Sequence, residues 1–137
     1  MPPPQPEVVH LAKLLIVDDD PSFAHLIQLR LQRAGHTASL KTGPLGVIDE
    51  LKRDGYDAVL LDVMMPALDG PALVRMIRRL HERPELKIIL CSGMERDDLA
   101  DLASRLEVDG YLSKSEELRN IAESVGAVLA SPRKASH

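Results

Sequence analysis

Leu14-Leu15-Ile16-Val17-Asp18-Asp19-Asp20-Pro21 runs four apolar residues into three acids and a proline. An uninterrupted apolar run this short fits a strand buried on both faces of a parallel sheet; a strand with one wet face would alternate. Ala58-Val59-Leu60-Leu61 repeats the pattern and stops at Asp62. Lys87-Ile88-Ile89-Leu90-Cys91 repeats it again and stops at Ser92-Gly93. Thr37-Ala38-Ser39-Leu40 and Gly110-Tyr111-Leu112-Ser113 are weaker strand candidates.

Helical spacing fills the intervals. Phe23, Leu26, Ile27, Leu31 and Ala34 share one face, with Gly35 as the stop. Val47, Ile48 and Leu51 mark a second helix, and Pro44 and Gly46 shape its start. Leu73, Met76, Ile77 and Leu80 mark a third, with Asp69 as N-cap and Pro71 in the first turn. Leu99, Leu102, Ala103 and Leu106 mark a fourth; Leu118, Ile121, Ala122, Val125 and Val128 mark a fifth. The expected order is (βα)₅, an α/β fold with a doubly wound parallel sheet and helices on both faces. Residues 11–130 form the expected domain, between a proline-rich extension at 1–10 and a tail at 131–137, both read as flexible.

Composition narrows the function. The 137 residues carry a formal net charge of −4, and aromatics are only 2%. A mildly acidic surface repels phosphate backbones, and base stacking needs aromatic faces, so no nucleic-acid partner is expected. No apolar run approaches the length of a membrane span and no signal peptide is visible, so the expectation is a cytoplasmic protein without a membrane partner. The lone cysteine, Cys91, reads as a buried small hydrophobe, and the five histidines show no zinc-ligand spacing. No Gly-rich phosphate loop is present.

In sheets of this kind, chemistry sits at the carboxyl ends of the strands, near the switch in strand order. Asp18, Asp19 and Asp20 follow the first strand, Asp62 the third, Ser92 the fourth and Lys114 the fifth. Crowded carboxylates raise one another's pKa or recruit a cation. A few hard oxygen ligands suit Mg²⁺. A carboxylate can attack phosphorus to give an acyl phosphate, and a metal, a lysine and a hydroxyl can neutralise the transferring group. Any one of these residues alone would be a turn former or a surface charge; Asp20, before Pro21, reads as a helix cap.

Four segments together resemble the response-regulator receiver family: Leu14–Pro21, the stretch from Leu60 to Gly70 with Pro66 and Gly70 at the family spacing, Ser92-Gly93, and Gly110-Tyr111-Leu112-Ser113-Lys114. The resemblance covers about residues 12 to 129. It implies a flavodoxin-like fold, strand order 2-1-3-4-5, of the stand-alone chemotaxis-receiver kind. It implies Asp62 as phosphoacceptor and Mg²⁺ as cofactor, held by Asp18, Asp19, Asp62 and the Met64 backbone carbonyl. Ser92 with Gly93 would be the switch hydroxyl segment, Lys114 the phosphate-binding lysine and Tyr111 the rotating aromatic. The implied donor is a phosphohistidine on a sensor histidine kinase or a phosphotransfer protein. The implied output is a protein target at the face of helix 4, strand 5 and helix 5.

Two departures stand out. The family commonly has proline after the lysine, often with a cis bond; here Ser115 stands there. A cis bond without proline costs roughly 3 kcal/mol, so the loop is either strained or runs trans and shifts the lysine. Met64 and Met94 lie two positions beyond Asp62 and Ser92, where the family resemblance implies that side chains flank the path of the hydrolytic water; apolar ones would neither orient nor attract it. They could equally be loop-packing residues. The expected protein is a phosphoacceptor and not an enzyme, since a phosphatase with an aspartyl nucleophile would need a second carboxylate where Met64 stands. No DNA-binding segment follows the fifth helix in these residues, so the output expected is a protein contact. The rival is a degenerate receiver, a protein-interaction module that works without phosphorylation.

Overall fold

The computed structural model describes residues 11–66, 69–80, 84–116 and 118–132. The extension expected at 1–10 and residues 133–137 of the expected tail lie outside them. Strands β1 (Lys13–Val17), β2 (Thr37–Lys41), β3 (Ala58–Leu61), β4 (Lys87–Ser92) and β5 (Gly110–Ser113) alternate with helices α1 (Pro21–Arg33), α2 (Val47–Arg53), α3 (Gly70–Arg78), α4 (Arg96–Leu106) and α5 (Ile121–Ala130). A 3₁₀ turn, Leu118–Asn120, leads into α5. All pairings are parallel, in the order β2-β1-β3-β4-β5. The fold is therefore the (βα)₅ arrangement that the sequence pattern implies, with the flavodoxin-like strand order that the family resemblance implies.

The central strands are buried on both sides, as their unbroken apolar runs require. Leu15, Val17, Val59, Leu61, Ile88 and Leu90 face one core with α2, α3 and α4. Leu14, Ile16, Ala58, Leu60, Ile89 and Cys91 face the other with α1 and α5. Each valine, leucine and isoleucine among them contributes about 1.5–3 kcal/mol on burial. Two helix-face expectations need correction. Leu26 in α1 and Met76 in α3 are exposed, at 37% and 48%. The buried stripe of α1 is Ala24, Ile27 and Leu31, and that of α3 is Leu73, Val74 and Ile77. Seated on a flat sheet, a helix buries a stripe narrower than its full set of apolar residues.

Local chemistry fixes the loops on the site side. Asp20 caps α1, accepting from the Ser22 and Phe23 N–H groups. Asp69 caps α3 through the Ala72 N–H. Gly46 enters α2 at φ +82°, where a side chain would be strained. At Gly70 a Cβ would lie 3.0 Å from Val63 Cγ1, so glycine lets α3 press on the loop after Asp62.

Lys87 was hidden inside an apolar run. It is 9% exposed, and its ammonium donates to the Val128 and Leu129 carbonyls at 2.7 Å each and to the Ser131 carbonyl. These carbonyls lie at the C-terminal end of α5 and its cap, where Val128 O also accepts from the Ser131 N–H at 3.1 Å, so the cation meets the negative end of the helix dipole.

Candidate phosphoacceptor site

Strand order switches between β1 and β3, because β1 has β2 on one side and β3 on the other. Loops leaving these strands diverge and open a crevice. Asp18 and Asp62 stand at its two lips. The Asp18 N–H donates to Lys41 O at 3.0 Å and the Asp62 N–H to Val17 O at 2.9 Å, so both backbones extend the sheet ladder by one residue. Their side chains are buried, at 2% and 5% exposure for the residues, while Asp19 is exposed. Carboxylate oxygens of Asp18, Asp19 and Asp62 all lie within 4.8 Å of one another.

Lys114, just past β5, reaches back into this cluster. Its Nζ is 2.7 Å from Asp18 Oδ2 and 3.0 Å from Asp62 Oδ2. The Lys114–Ser115 bond is trans, and the lysine still reaches both acids. The Lys114 N–H donates to Ser92 O at 2.9 Å, which ties the loop to the end of β4. The Ser113 and Ser115 hydroxyls share a hydrogen bond of 3.1 Å. The remaining carboxylate oxygens take backbone donors: Asp18 Oδ1 from Asp20 N–H and Asp62 Oδ1 from Met64 N–H, both at 2.9 Å.

Burial pushes the Asp18 carboxyl above its usual range, and the hydrogen bond from Lys114 only partly offsets this. For Lys114, burial works downward and is the largest single influence, yet the two carboxylates together outweigh it and leave the ammonium above its ordinary value. Three carboxylates facing one ammonium leave a formal charge of −2. All available donors are hard oxygens, and two of the acids are buried. That set fits a small divalent cation of the Mg²⁺ kind.

Ser92 is fully buried, and its Oγ accepts from the Met94 N–H at 3.2 Å. Gly93 is exposed, with open space where a Cβ would stand. Met64 is 57% exposed and Met94 half-buried. Tyr111 is half-buried on β5, three residues before Lys114, and packs against the core under α2, α3 and α4. The Arg96 guanidinium lies 5.7 Å from its ring centroid and pairs with Glu116 at 3.0 Å. Sequence reasoning missed that pair, and nothing in its spacing signals it. It also missed the Phe23 ring, whose centroid lies 4.3 Å from Lys114 Nζ. The sole phenylalanine of the chain stands in the first helical turn after the acids, but that position does not place it against a residue beyond β5.

The family model of the response regulator receiver domain matches residues 14–126. The chain belongs to the response-regulator receiver family. Among curated proteins, the uncharacterized transcriptional regulatory protein YkoG of Bacillus subtilis is 30% identical over 118 residues, 85% of this chain and 50% of that protein. The chain spans about half the length of the curated relatives it matches first. Among solved structures, the chemotaxis response regulator CheY4 of Vibrio cholerae shares the fold, with TM-score 0.76, 20% identity and coverage of 86% of this chain and 98% of that one. The response regulator TrrA of Thermotoga maritima, solved in complex with Mg²⁺ and beryllofluoride, matches with TM-score 0.72 and 27% identity, over 86% of this receiver and 99% of that chain. Receiver domains bind Mg²⁺ at an acidic pocket and pair with histidine kinases. Among the described residues of this receiver, no helix is long and apolar enough to cross a membrane.

Metal affinity should depend on pH in a defined direction. A proton on Asp18 competes with the cation, and its raised pKa brings that competition to higher pH than an ordinary aspartate would. Calorimetric titration should show Mg²⁺ affinity falling as pH is lowered toward the carboxylate range. Asp18→Asn should weaken binding by tenfold or more (order of magnitude, from the loss of one charged ligand). Asp20→Ala should instead cost about 1 kcal/mol of stability, as a lost helix cap, and spare the affinity. Equal losses of Mg²⁺ binding in the two variants would contradict this division.

Proposed function

We propose that this receiver takes a phosphoryl group onto Asp62 from the phosphohistidine of a sensor histidine kinase or a phosphotransfer protein. The observation that carries the reading is the half-buried Lys114 ammonium bridging Asp18 and Asp62 beside a third carboxylate. An Asp62 oxygen forms the new bond to phosphorus. The P–N bond to the donor imidazole breaks, and its electron pair leaves with the imidazole. Asp18, Asp19, Asp62 and the Met64 backbone carbonyl would hold Mg²⁺, which when bound supplies charge neutralisation for the transferring group. Lys114 follows with its ammonium and neutralises a second phosphoryl oxygen.

The product would then act on the fold by local electrostatics. An acyl phosphate brings close to two negative charges and strong acceptor oxygens. The Ser92 hydroxyl accepts a bond from Met94 N–H and keeps its own proton for donation. Turning toward the phosphoryl group would take Ser92 and the adjacent Gly93 backbone with it and leave space for Tyr111. The Arg96–Glu116 pair over Tyr111 would reorganise with the ring. Such a step is a population shift between two packings, biased by contacts that only one of them makes. It alters the face of α4, β5 and α5, where a downstream protein would bind. The receiver itself makes no nucleic-acid or membrane contact in this reading, works in the cytoplasm, and turns over no substrate beyond its own phosphoryl group.

Labelling with acetyl phosphate and Mg²⁺, followed by intact mass, tests this directly. The wild type should gain one phosphoryl group and Asp62→Asn none. A wild type that stays unmodified with every donor would favour a receiver that works as a phosphorylation-independent interaction module. The lifetime of the product is a second expectation. Met64, two residues past the acceptor and 57% exposed, offers no polar group to orient an attacking water, and Met94 packs half-buried against the core under α2, α3 and α4, so decay should be slow without a phosphatase. Met64→Asn should speed it several-fold, because a polar side chain there can hold water in line. Rapid loss from the wild type would count against the role given to the methionines.

A further inference from the structure

Phe23 takes no part in the chemistry drawn so far. It stands in the first turn of α1, where its N–H donates to Asp20 Oδ1 at 3.2 Å beside that of Ser22 at 3.1 Å. The cap sets where the helix begins and therefore where this ring lies. The ring centroid is 4.3 Å from Lys114 Nζ. The same ammonium is 2.7 Å from Asp18 and 3.0 Å from Asp62. Two carboxylates and one aromatic face thus surround a side chain that is only 17% exposed. A cation within about 6 Å of a ring centroid is attracted by the negative face of the ring, and more strongly once water is excluded.

The carboxylates are unreliable tethers during the reaction. Phosphorylation turns the Asp62 carboxylate into an acyl phosphate, and a bound cation draws on Asp18. The Phe23 ring is altered by neither event. Lysine is a point charge on a flexible four-carbon stem, so without a fixed tether it loses its aim. No proline stiffens the loop after it, since Ser115 follows through a trans bond.

We propose that Phe23 is a positioning residue: its ring holds the Lys114 ammonium over the acceptor while the partners of that lysine change from carboxylates to phosphoryl oxygens. The inference rests on the reading of Asp62 as phosphoacceptor. A purely packing role is the competing account, because Phe23 is half-buried against the α1 and α5 core. Leucine separates the two, since it keeps an apolar side chain there and removes the aromatic face.

The test measures the rate of acetyl phosphate labelling with Mg²⁺ by intact mass, with thermal melting to check folding. Phe23→Leu should slow labelling by roughly three- to tenfold, the range a partly desolvated cation–π contact spans. Phe23→Tyr, which keeps the ring, should restore the rate to within about twofold. Where the leucine variant melts early, Phe23→Met serves in its place. In a Lys114→Ala background the loss of the ring should have no further effect. NMR gives a readout independent of transfer: ring current should move the Lys114 side-chain methylene next to the ammonium upfield of the other lysines, and Phe23→Leu should abolish the shift. Labelling of Phe23→Leu at the wild-type rate, or an equal slowing without Lys114, overturns the proposal. If the wild type takes no phosphoryl group, the acceptor reading of Asp62 fails. The NMR shift then judges the contact alone, and an unshifted Lys114 overturns it.

Discussion

Two buried carboxylates on neighbouring strands share one lysine ammonium, and the rest of the receiver is arranged around the cost of putting them there. Taking Asp18 and Asp62 out of water is unfavourable, and Lys114 alone cannot neutralise the three acids of the cluster. Backbone N–H groups of Asp20 and Met64 satisfy the second oxygen of each buried acid. The charge still left over is what gives the site a use. That residual charge, carried by hard oxygens, fits a small divalent cation of the Mg²⁺ kind. Stability and function meet in the same few atoms, since the groups that must be compensated in the resting fold are those that would stabilise a transferring phosphoryl group.

The sheet supplies the rigidity this arrangement needs. Asp18 and Asp62 are each bonded into the ladder through their own backbone N–H, so the separation of their side chains is set by strand pairing. Ser92 ends β4 and holds the Lys114 backbone, which brings a residue from the far edge of the sheet back to the crevice. Every strand near the site is anchored on two cores, one under α2, α3 and α4 and one under α1 and α5. At the opposite edge, Lys87 at the start of β4 holds the end of α5. The strand carrying Ser92 thus ties the site at one end and the last helix at the other.

Much of this was legible in the sequence. Apolar runs halted by acids marked β1 and β3, and the topological rule placed Asp18, Asp19, Asp62, Ser92 and Lys114 at one edge. The missed features share a physical cause: they depend on distances between elements, which one-dimensional spacing does not carry. Leu26 and Met76 fit helical periods, yet they fall at the margin of the stripe each helix buries and stay exposed. Lys87 read only as the start of a strand, because its partners are more than 40 residues away, at the end of α5. Ser115 in place of the family proline raised the choice between a strained loop and a displaced lysine. The loop takes the trans course, and the lysine reaches its acids with the Phe23 ring against it. The ring could be anticipated as helical, but not as a neighbour of a residue beyond β5.

The most direct measurement of the central claim is a calorimetric titration of this receiver with beryllofluoride, which mimics the phosphoryl group on a carboxylate, with and without Mg²⁺. One equivalent should bind the wild type only when Mg²⁺ is present. Binding should vanish in Asp62→Asn and weaken by tenfold or more in Lys114→Ala (order of magnitude, from the loss of one charge-assisted bond). Binding that ignores Mg²⁺, or that persists without the Asp62 carboxylate, would contradict the account.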